Sequence, residues 1–237
     1  MKIVDFLGPV GVGKSTQVRL LKAKLNDKGY SVKSTFLKSG HLFSYLFLRM
    51  LARGTVGQGM PDVSPIRALI DQRPELYRRL FRPWLALDLF SVVAKSLFAV
   101  YLPMKSGLLV LVEEGIPATI ADYLYLCDVL GVPREKSFAA VKLLAALHAR
   151  MGPVAIVVLS ADQAALSSRW AERGSSAERE DYVLAQRELL PTISRVLAGR
   201  LLLSLDTTSR SRTETSNLIE QWFAAIHTTQ RTSLDSQ

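Results

Sequence analysis

A short run of glycines with one lysine lies near the N-terminus, where residues Gly8 to Thr16 read GPVGVGKST. The run fits the pattern G-x-x-x-x-G-K-[ST], with Gly8, Gly13, Lys14 and Ser15 at the fixed positions. Glycines allow the backbone to curl so that successive N–H groups converge on a phosphate, and the N-terminus of a following helix adds positive potential. A lysine brings a mobile charge to the β- and γ-phosphate oxygens, and a serine hydroxyl is a ligand for Mg²⁺. The run therefore predicts a site for a nucleoside triphosphate.

The residues on either side of this run supply the context that the pattern requires. The apolar run KIVDFL precedes it as a strand would, and a helical stretch follows that places Val18, Leu21 and Leu25 on one face before Gly29 ends it. A glycine-rich turn that carried lysine and serine by chance would not need both flanks. We therefore assign triphosphate binding to the following residues of this phosphate loop, with Lys14 also catalytic: Gly8, Gly11, Gly13, Lys14, Ser15 and Thr16.

Strand-like and helical stretches alternate along the rest of the chain. The strand-like runs are KIVDFL (residues 2–7), YSVKSTFL (30–37), LLVLV (108–112), PVAIVVLS (153–160) and RLLLSLD (200–206). Apolar strands joined by helical crossovers are typical of a parallel sheet that helices cover on both faces. We therefore predict an α/β protein with the three-layer P-loop NTPase fold and a sheet of about five parallel strands. Residues 1–227 would form a single domain, and the polar segment 228–237 a frayed tail.

The composition favours a globular protein with an anionic partner. The 237 residues are 49% hydrophobic and carry a formal charge of +9, which suits a nucleotide, a nucleic acid or a membrane surface. The single cysteine, Cys127, excludes an internal disulfide and is compatible with a reducing cytosol. The longest apolar run, Phe90 to Pro103, is interrupted by Lys95 and is too short to span a bilayer, so it indicates a buried helix. We expect a cytoplasmic protein that binds neither membrane nor nucleic acid.

Two classes of nucleotide-binding protein fit this chain poorly. A GTPase would show the guanine-reading pattern N-K-x-D after a strand, whereas the runs ending at Ser160 and Asp206 are followed by ADQ and TTSR. A motor-type ATPase would be larger and would carry an apolar strand that ends in aspartate, whereas LLVLVEE ends in glutamates. A small nucleotide or nucleoside kinase fits the size best.

The chain resembles the thymidylate kinase family over most of residues 1–226. The resemblance is carried by the phosphate loop and by LLVLVEEGIPATIADYLYL (108–126), RWAERGSSAEREDYVLAQREL (169–189) and the ending LLSLDTT and ETSNLIEQWF. The phosphate loop is the specific motif, and the other segments match in spacing and residue type. The resemblance implies transfer of the γ-phosphoryl group of ATP to a nucleoside monophosphate, dTMP or a related nucleotide, with Mg²⁺, in nucleotide biosynthesis. It also implies a possible homodimer through helices beside the sheet, for which DLFSVVAKSLFAVYL (88–102) is apolar enough.

Two adjacent glutamates end the third predicted strand. Ligands collect at the carboxyl ends of parallel strands, so Glu113 and Glu114 are expected beside the phosphate loop. We assign Glu113, with Ser15, to a metal site and Glu114 to catalysis; either glutamate could instead act as a base or only end the strand. The resemblance places Glu114 on an aspartate of the family and Gly115 on the arginine that follows it, so that basic contact is missing here.

Arg169 and Arg173 lie four residues apart, on one face of a predicted helix after the fourth strand. The resemblance implies that about residues 161–182 form a helical lid. Two guanidinium groups on such an arm would neutralise charge on the transferred phosphoryl group, so we assign both arginines to catalysis. The alternative is a solvated helix face on which they pair with Glu172 or Glu178.

The acceptor side offers basic, aromatic and acidic candidates. By the resemblance Lys38 corresponds to a phosphate-contacting position and Asp88 to an acidic or amide position. We assign substrate binding to Lys38, Arg49, Arg82, Trp84, Asp88 and Tyr123, with the two aromatic residues stacking on a base. The alternative is that the aromatic residues belong to the core and the arginines to a solvated face. The family's residues are replaced at Leu7, Val10, Leu89 and Gly115, which leaves the donor half intact and changes the acceptor half.

Two other functions remain open at this point. A nucleoside kinase acting on a hydroxyl would use Glu113 or Glu114 as its base. An ATP-dependent binding protein without transfer activity would use the basic stretch Arg67 to Arg82 to contact nucleic acid or a partner.

Overall fold

The computed structural model describes residues 1–56 and 64–234. Their strands are β1 Ile3–Leu7, β2 Val32–Phe36, β3 Leu109–Glu113, β4 Val154–Ser160 and β5 Leu202–Asp206. Their α-helices are α1 Lys14–Asp27, α2 Phe43–Val56, α3 Pro65–Gln72, α4 Pro74–Lys95, α5 Leu102–Lys105, α6 Ile116–Val129, α7 Phe138–Arg150, α8 Gln163–Glu172, α9 Glu180–Ala198 and α10 Arg212–Leu234. A π-helical turn, Ser96–Tyr101, joins α4 to α5, and a 3-10 turn, Arg134–Ser137, precedes α7.

The strands of these described residues form one parallel sheet in the order β2-β3-β1-β4-β5. The register pairs Glu113 with both Phe6 and Phe36, and Leu7 with Val158. The carboxyl ends of β1, β2, β3 and β4 therefore meet at the same edge of the sheet, where the phosphate loop begins. The predicted five-stranded parallel α/β sheet is confirmed.

Helices cover both faces of the sheet because alternate residues of each strand point to opposite sides. On one face, Ile3 and Leu7 pack in a core cluster with residues of α4, α6 and α7. On the other face, Val4 and Phe6 pack with residues of α1 and α10. Burial on both faces explains why the strands read as continuous apolar runs.

The helical run Pro74–Lys105 is, within the described ranges, the one helix long and apolar enough to cross a membrane by length and composition. Its first half belongs to the core, since Tyr77, Phe81 and Trp84 are buried. The prediction of a buried helix over residues 90–103 needs correction, because Phe90 is 60% exposed and Phe98 is 65% exposed. The homodimer predicted through this stretch stays a prediction.

Residues 228–234 of the predicted tail belong to the last helix, and the fraying of this tail stays a prediction. Helix α10 continues to Leu234, since its backbone keeps a helical conformation beyond residue 227. Residues 235–237 of the predicted tail lie outside the described residues.

Candidate active site

The phosphate loop connects β1 to α1 in a conformation that depends on its glycines. The φ angles are 138° at Gly8, 90° at Gly11 and 106° at Gly13, values that residues other than glycine rarely adopt. A Cβ atom on Gly8 would lie 2.1 Å from the carbonyl oxygen of Leu159, at the end of β4. A Cβ atom on Gly11 would lie 2.8 Å from Nε1 of Trp170, which donates a hydrogen bond to the carbonyl of Val10 at 3.0 Å. The loop is therefore fitted closely against β4 and α8.

Lys14 is folded back onto the loop that precedes it. Its Nζ atom donates hydrogen bonds to the carbonyl oxygens of Gly8 at 2.6 Å and Pro9 at 2.9 Å, and forms an ion pair with Oε1 of Glu114 at 2.9 Å. The side chain is 8% exposed. The ammonium group predicted to meet the triphosphate is thus fixed at the junction of the loop and β3.

The predicted metal ligands lie side by side. Ser15 Oγ donates a hydrogen bond to Glu113 Oε2 at 2.5 Å, across the gap between the start of α1 and the end of β3. No cluster of three or more His, Cys, Asp or Glu side chains suited to a metal occurs among residues 1–56 and 64–234. Two oxygen ligands from the protein, with the rest from water and phosphate, are what Mg²⁺ ordinarily takes. The donor set therefore fits Mg²⁺.

Glu114 joins the phosphate loop to the acceptor side. Its Oε1 faces Nζ of Lys14, and its Oε2 lies 3.4 Å from Nζ of Lys38, just after β2. Burial raises the pKa of Glu114, but the two ammonium groups outweigh it and hold that pKa at about 2. The pKa of Lys38 is raised, because Glu114, Asp122 and Glu178 outweigh its burial. Glu114 is therefore ionised at neutral pH.

A cavity of about 340 Å³ opens beside Lys38. Its walls come from β2, α2, α3, α6 and α9 and from the loops after β2 and before α9, and they include Phe36, His41, Ile66, Tyr125 and Tyr182. Asp122 stands in the wall, where Ser39 Oγ donates to its Oδ2 at 2.6 Å and the Tyr182 hydroxyl donates to its Oδ1 at 2.8 Å. Burial raises the pKa of Asp122 to about 6, against the opposing effect of Lys38. We call this space the acceptor cavity, after the acceptor substrate that Lys38 is predicted to bind.

Of the residues predicted to bind the acceptor, Lys38 lines this cavity and three others lie behind it. Trp84 and Tyr123 are 0% exposed and pack edge to face in the core, so stacking on a base is unavailable to them. Asp88 is also buried; its Oδ1 accepts the N–H of Gly40 at 2.7 Å, and its Oδ2 accepts the Tyr123 hydroxyl at 2.8 Å. Asp88 therefore fixes the segment between β2 and α2 that borders the cavity, and the three assignments to direct contact need correction.

The two predicted arginines, Arg49 and Arg82, lie elsewhere. Arg49 is exposed on α2 and does not line the acceptor cavity. Arg82 lines a separate depression of about 350 Å³ with Arg78, Arg79 and Lys136. The structure therefore brings neither arginine to the acceptor cavity, and both assignments need correction.

Arg169 and Arg173 line a second cavity, of about 580 Å³, on the donor side. This donor cavity runs from Gly11 and Thr16 of the phosphate loop to the segment between β5 and α10. Arg169 is held there, since its Nη2 donates to the carbonyl of Thr207 at 2.6 Å. The structure places both arginines beside the phosphate loop, and their predicted role in closing over the transferred group stays a prediction.

The lid-like segment consists of α8, α9 and the loop 173–179 between them. Its far end is fastened to α3 beside the acceptor cavity. Arg67 Nη1 donates to the carbonyl of Ala177 at 2.6 Å, and Arg179 pairs with Asp71 and, at 2.7 Å, with Asp181. The sequence pattern does not single out Arg179, although it stands in the same segment as Arg169 and Arg173, and it indicates Arg67 only as the start of a basic stretch.

Comparisons with known proteins agree with this architecture at the level of the fold. No protein-family model and no curated protein sequence matches the chain. A solved structure of thymidylate kinase from Candida albicans matches with a TM-score of 0.56 and 13% sequence identity, over 97% of this chain and 92% of that chain. At that identity the similarity is one of fold alone. The chain thus has the α/β fold of a P-loop kinase such as thymidylate kinase.

Proposed function

We propose that this chain is an ATP-dependent phosphotransferase of thymidylate kinase type, which moves the γ-phosphoryl group of ATP to a nucleoside monophosphate in the acceptor cavity. One observation carries the proposal. Lys14 of the phosphate loop and Lys38 of the acceptor cavity meet on the two oxygens of Glu114, at 2.9 and 3.4 Å. A triphosphate on the loop and a phosphate in the cavity would therefore lie next to each other.

Phosphoryl transfer depends mainly on how the protein positions the two substrates and neutralises their charge. In the transfer, the bond from the γ-phosphorus to the oxygen that bridges it to the β-phosphate breaks, a bond to an acceptor phosphate oxygen forms, and ADP leaves. Lys14 and Lys38 supply positive charge on the donor and acceptor sides of that path. Ser15 and Glu113 would hold Mg²⁺, which supplies further neutralisation of the β- and γ-phosphate charge.

The state of Glu114 favours a phosphate acceptor over a hydroxyl acceptor. A hydroxyl group benefits from a base whose pKa lies near the working pH. Glu114, with a pKa of about 2, is a weak base and serves instead as the counter-ion of two lysines. A phosphate monoester is already anionic and needs no base, so a nucleoside monophosphate suits the site better than a nucleoside.

The acceptor cavity suits a flat, mostly apolar group attached to that phosphate. Aromatic side chains line it, Phe36, Tyr45, Tyr125 and Tyr182, and its volume falls within the range of small-molecule sites. The imidazole Nε2 of His41 is buried without a hydrogen-bond partner among the described atoms. This arrangement supports a nucleobase in the cavity, read by few polar contacts, and dTMP is the first acceptor to test.

The test is ADP formation from ATP and Mg²⁺ over a panel of ribo- and deoxynucleoside monophosphates and the matching nucleosides. We expect one or more monophosphates to stimulate the rate, and Lys14→Ala to abolish that stimulation while the protein stays folded. Lys22→Ala, at a half-buried position of the same helix away from the phosphate loop, is the matched control and should retain it. Stimulation by nucleosides instead, or no stimulation above the ATPase rate, would overturn the proposal. Steeply salt-dependent nucleic-acid binding without transfer would favour a binding protein.

A further inference from the structure

The central strand β1 carries one buried carboxylate among apolar residues. Asp5 is 3% exposed and lies on the same face of the strand as Ile3 and Leu7, which belong to the core. Burial raises the pKa of Asp5 to about 7, so the ionised side chain is costly at this position. A buried carboxylate is ordinarily kept where a hydrogen-bond donor needs it, so the partner of Asp5 indicates its role.

Asp5 contacts Gly115, the residue immediately before α6. We call Asp5 and Gly115 the matched pair. Asp5 Oδ1 accepts the N–H of Gly115 at 3.0 Å. A Cβ atom on Gly115 would lie 2.1 Å from Asp5 Oδ2 and 2.7 Å from its Cγ. Gly115 has a φ of −73°, which any residue adopts, so the neighbouring carboxylate, and not the value of φ, excludes a side chain there.

The matched pair fixes the residue before it. Glu114 has a φ of 53°, in the left-handed region that residues other than glycine rarely occupy. Its own N–H donates to the carbonyl of Phe6 at 3.0 Å, and the next N–H, of Gly115, donates to Asp5. Two successive N–H groups are therefore fastened to neighbouring residues of β1. The turn they hold aims the Glu114 carboxylate at Lys14 and Lys38.

We propose that Asp5 is a positioning residue: by accepting the N–H of Gly115, it holds Glu114 in the conformation that places Lys14 and Lys38 on one carboxylate. This inference rests on the proposed phosphotransfer. The role requires an oxygen atom at the end of a short side chain and does not require its charge. Asparagine should therefore replace Asp5, whereas alanine should not.

The first experiment compares Asp5→Asn with Asp5→Ala by kcat and KM. We expect Asp5→Ala to lower kcat/KM for the acceptor by about 10²-fold, because small misplacements of positioned groups have effects of that size. Asp5→Asn should stay within about threefold of the unmodified protein, since its amide oxygen accepts the same hydrogen bond. The proposal is overturned if Asp5→Asn falls as far as Asp5→Ala, or if both retain full activity.

The second experiment does not depend on transfer. Denaturant unfolding of Asp5→Ala, Gly115→Ala and the double variant forms a double-mutant cycle. Gly115→Ala alone should lower the unfolding midpoint clearly, and the same substitution should lower it much less once alanine at position 5 has removed the clash. Additive effects would show that the two residues are not matched.

A third measurement separates failure of this inference from failure of the proposed function. Binding of the non-hydrolysable ATP analogue AMPPNP with Mg²⁺, followed by calorimetry, reports on Lys14 without an acceptor. Asp5→Ala should weaken this binding and Asp5→Asn should not. If no acceptor supports transfer, the proposed function fails, and the binding and unfolding results still decide the role of Asp5: an Asp5→Ala variant that binds as tightly as the unmodified protein overturns it.

Discussion

The donor and acceptor halves of the site are built in different ways. The donor half centres on nine consecutive residues, Gly8 to Thr16. The glycines, lysine and serine of this loop are neighbours in the sequence and also in the structure. The acceptor cavity is assembled from β2, α2, α3, α6 and α9 and from the loops after β2 and before α9, with Lys38, Asp122 and Arg179 separated by long stretches of sequence. A local loop can be recognised from its spacing, whereas an assembled cavity depends on which side of each helix is buried. The two halves meet on Glu114.

Removal of the Lys14 ammonium group should have the largest effect on this arrangement. Lys14→Ala leaves Glu114 with Lys38 as its remaining partner and deprives the triphosphate of its mobile charge. We expect kcat to fall by about 10³-fold or more, as for loss of a preorganised group that stabilises transition-state charge. Steady-state kinetics checks this, with Lys22→Ala as the control. A fall of less than tenfold would show that the loop is not the donor site.

Lys38→Ala sharpens the comparison, because it removes the lysine of the acceptor side. We expect kcat/KM for the acceptor to fall by about 10²-fold, while the dissociation constant of Mg²⁺-ATP changes by less than about threefold. Lys33→Ala, on strand β2, which precedes Lys38, is the control. Equal losses for both substrates would mean that Lys38 acts only through Glu114 and not on the acceptor.

The two buried carboxylates at the junction, Asp5 and Glu114, should respond to pH in opposite directions. Glu114, whose folded pKa is about 2, stabilises the fold above its unfolded value of 4.5, and this contribution is lost as pH falls towards 2. The pKa of Asp5 rises from 3.8 to about 7 on folding. Asp5 therefore leaves the free energy of unfolding unchanged below about pH 4 and lowers it by the full amount above about pH 7.

Asp5→Asn should therefore raise the free energy of unfolding at pH 8 by about 2 kcal/mol, less than the full pKa difference gives because the amide must also be buried. At pH 4 it should change little. Urea unfolding at the two pH values measures this. A gain that does not depend on pH would show that Asp5 is not ionised in the fold.

Arginine substitutions in the lid-like segment have the smallest expected effects. They test whether one end of this segment contacts ATP and the other end contacts the acceptor. Arg173 lines the donor cavity, and Arg179 lies beside the acceptor cavity. Arg173→Ala should raise KM for ATP, and Arg179→Ala should raise KM for the acceptor, each by about tenfold, the value of one charge-assisted contact. Crossed effects, or equal effects on both substrates, would contradict the division between the halves.

Features formed by residues that are close in the sequence could be predicted from it. The strands appear as short apolar runs, and the contact between Ser15 and Glu113 follows from the rule that parallel strands bring their carboxyl ends together. Aromatic rings suit bases, which favours Trp84 and Tyr123 as acceptor contacts, but the helices that carry them turn them into the core. Residue type alone does not show which side of a helix is buried.

Two carboxylates of the site, Asp5 and Asp122, are not among the residues predicted from the sequence, although the sequence around each of them is unusual. Asp5 in KIVDFL and Asp122 in IPATIADYLYL are single carboxylates inside apolar stretches. A buried charge is costly unless it is paired or hydrogen-bonded, so such a residue has a partner that its own segment does not supply. The partners, Gly115 for Asp5 and Ser39 and Tyr182 for Asp122, lie far away in the chain and could not be named in advance.

The fate of the γ-phosphoryl group tests the central claim most directly. ATP labelled at the γ-position is incubated with the protein, Mg²⁺ and the best acceptor of the panel, and the labelled products are separated. We predict label in a nucleoside diphosphate made from the added monophosphate, and none there with Lys14→Ala. Label found only in inorganic phosphate, or in a monophosphate made from an added nucleoside, would contradict the proposal that donor and acceptor phosphates meet across Glu114.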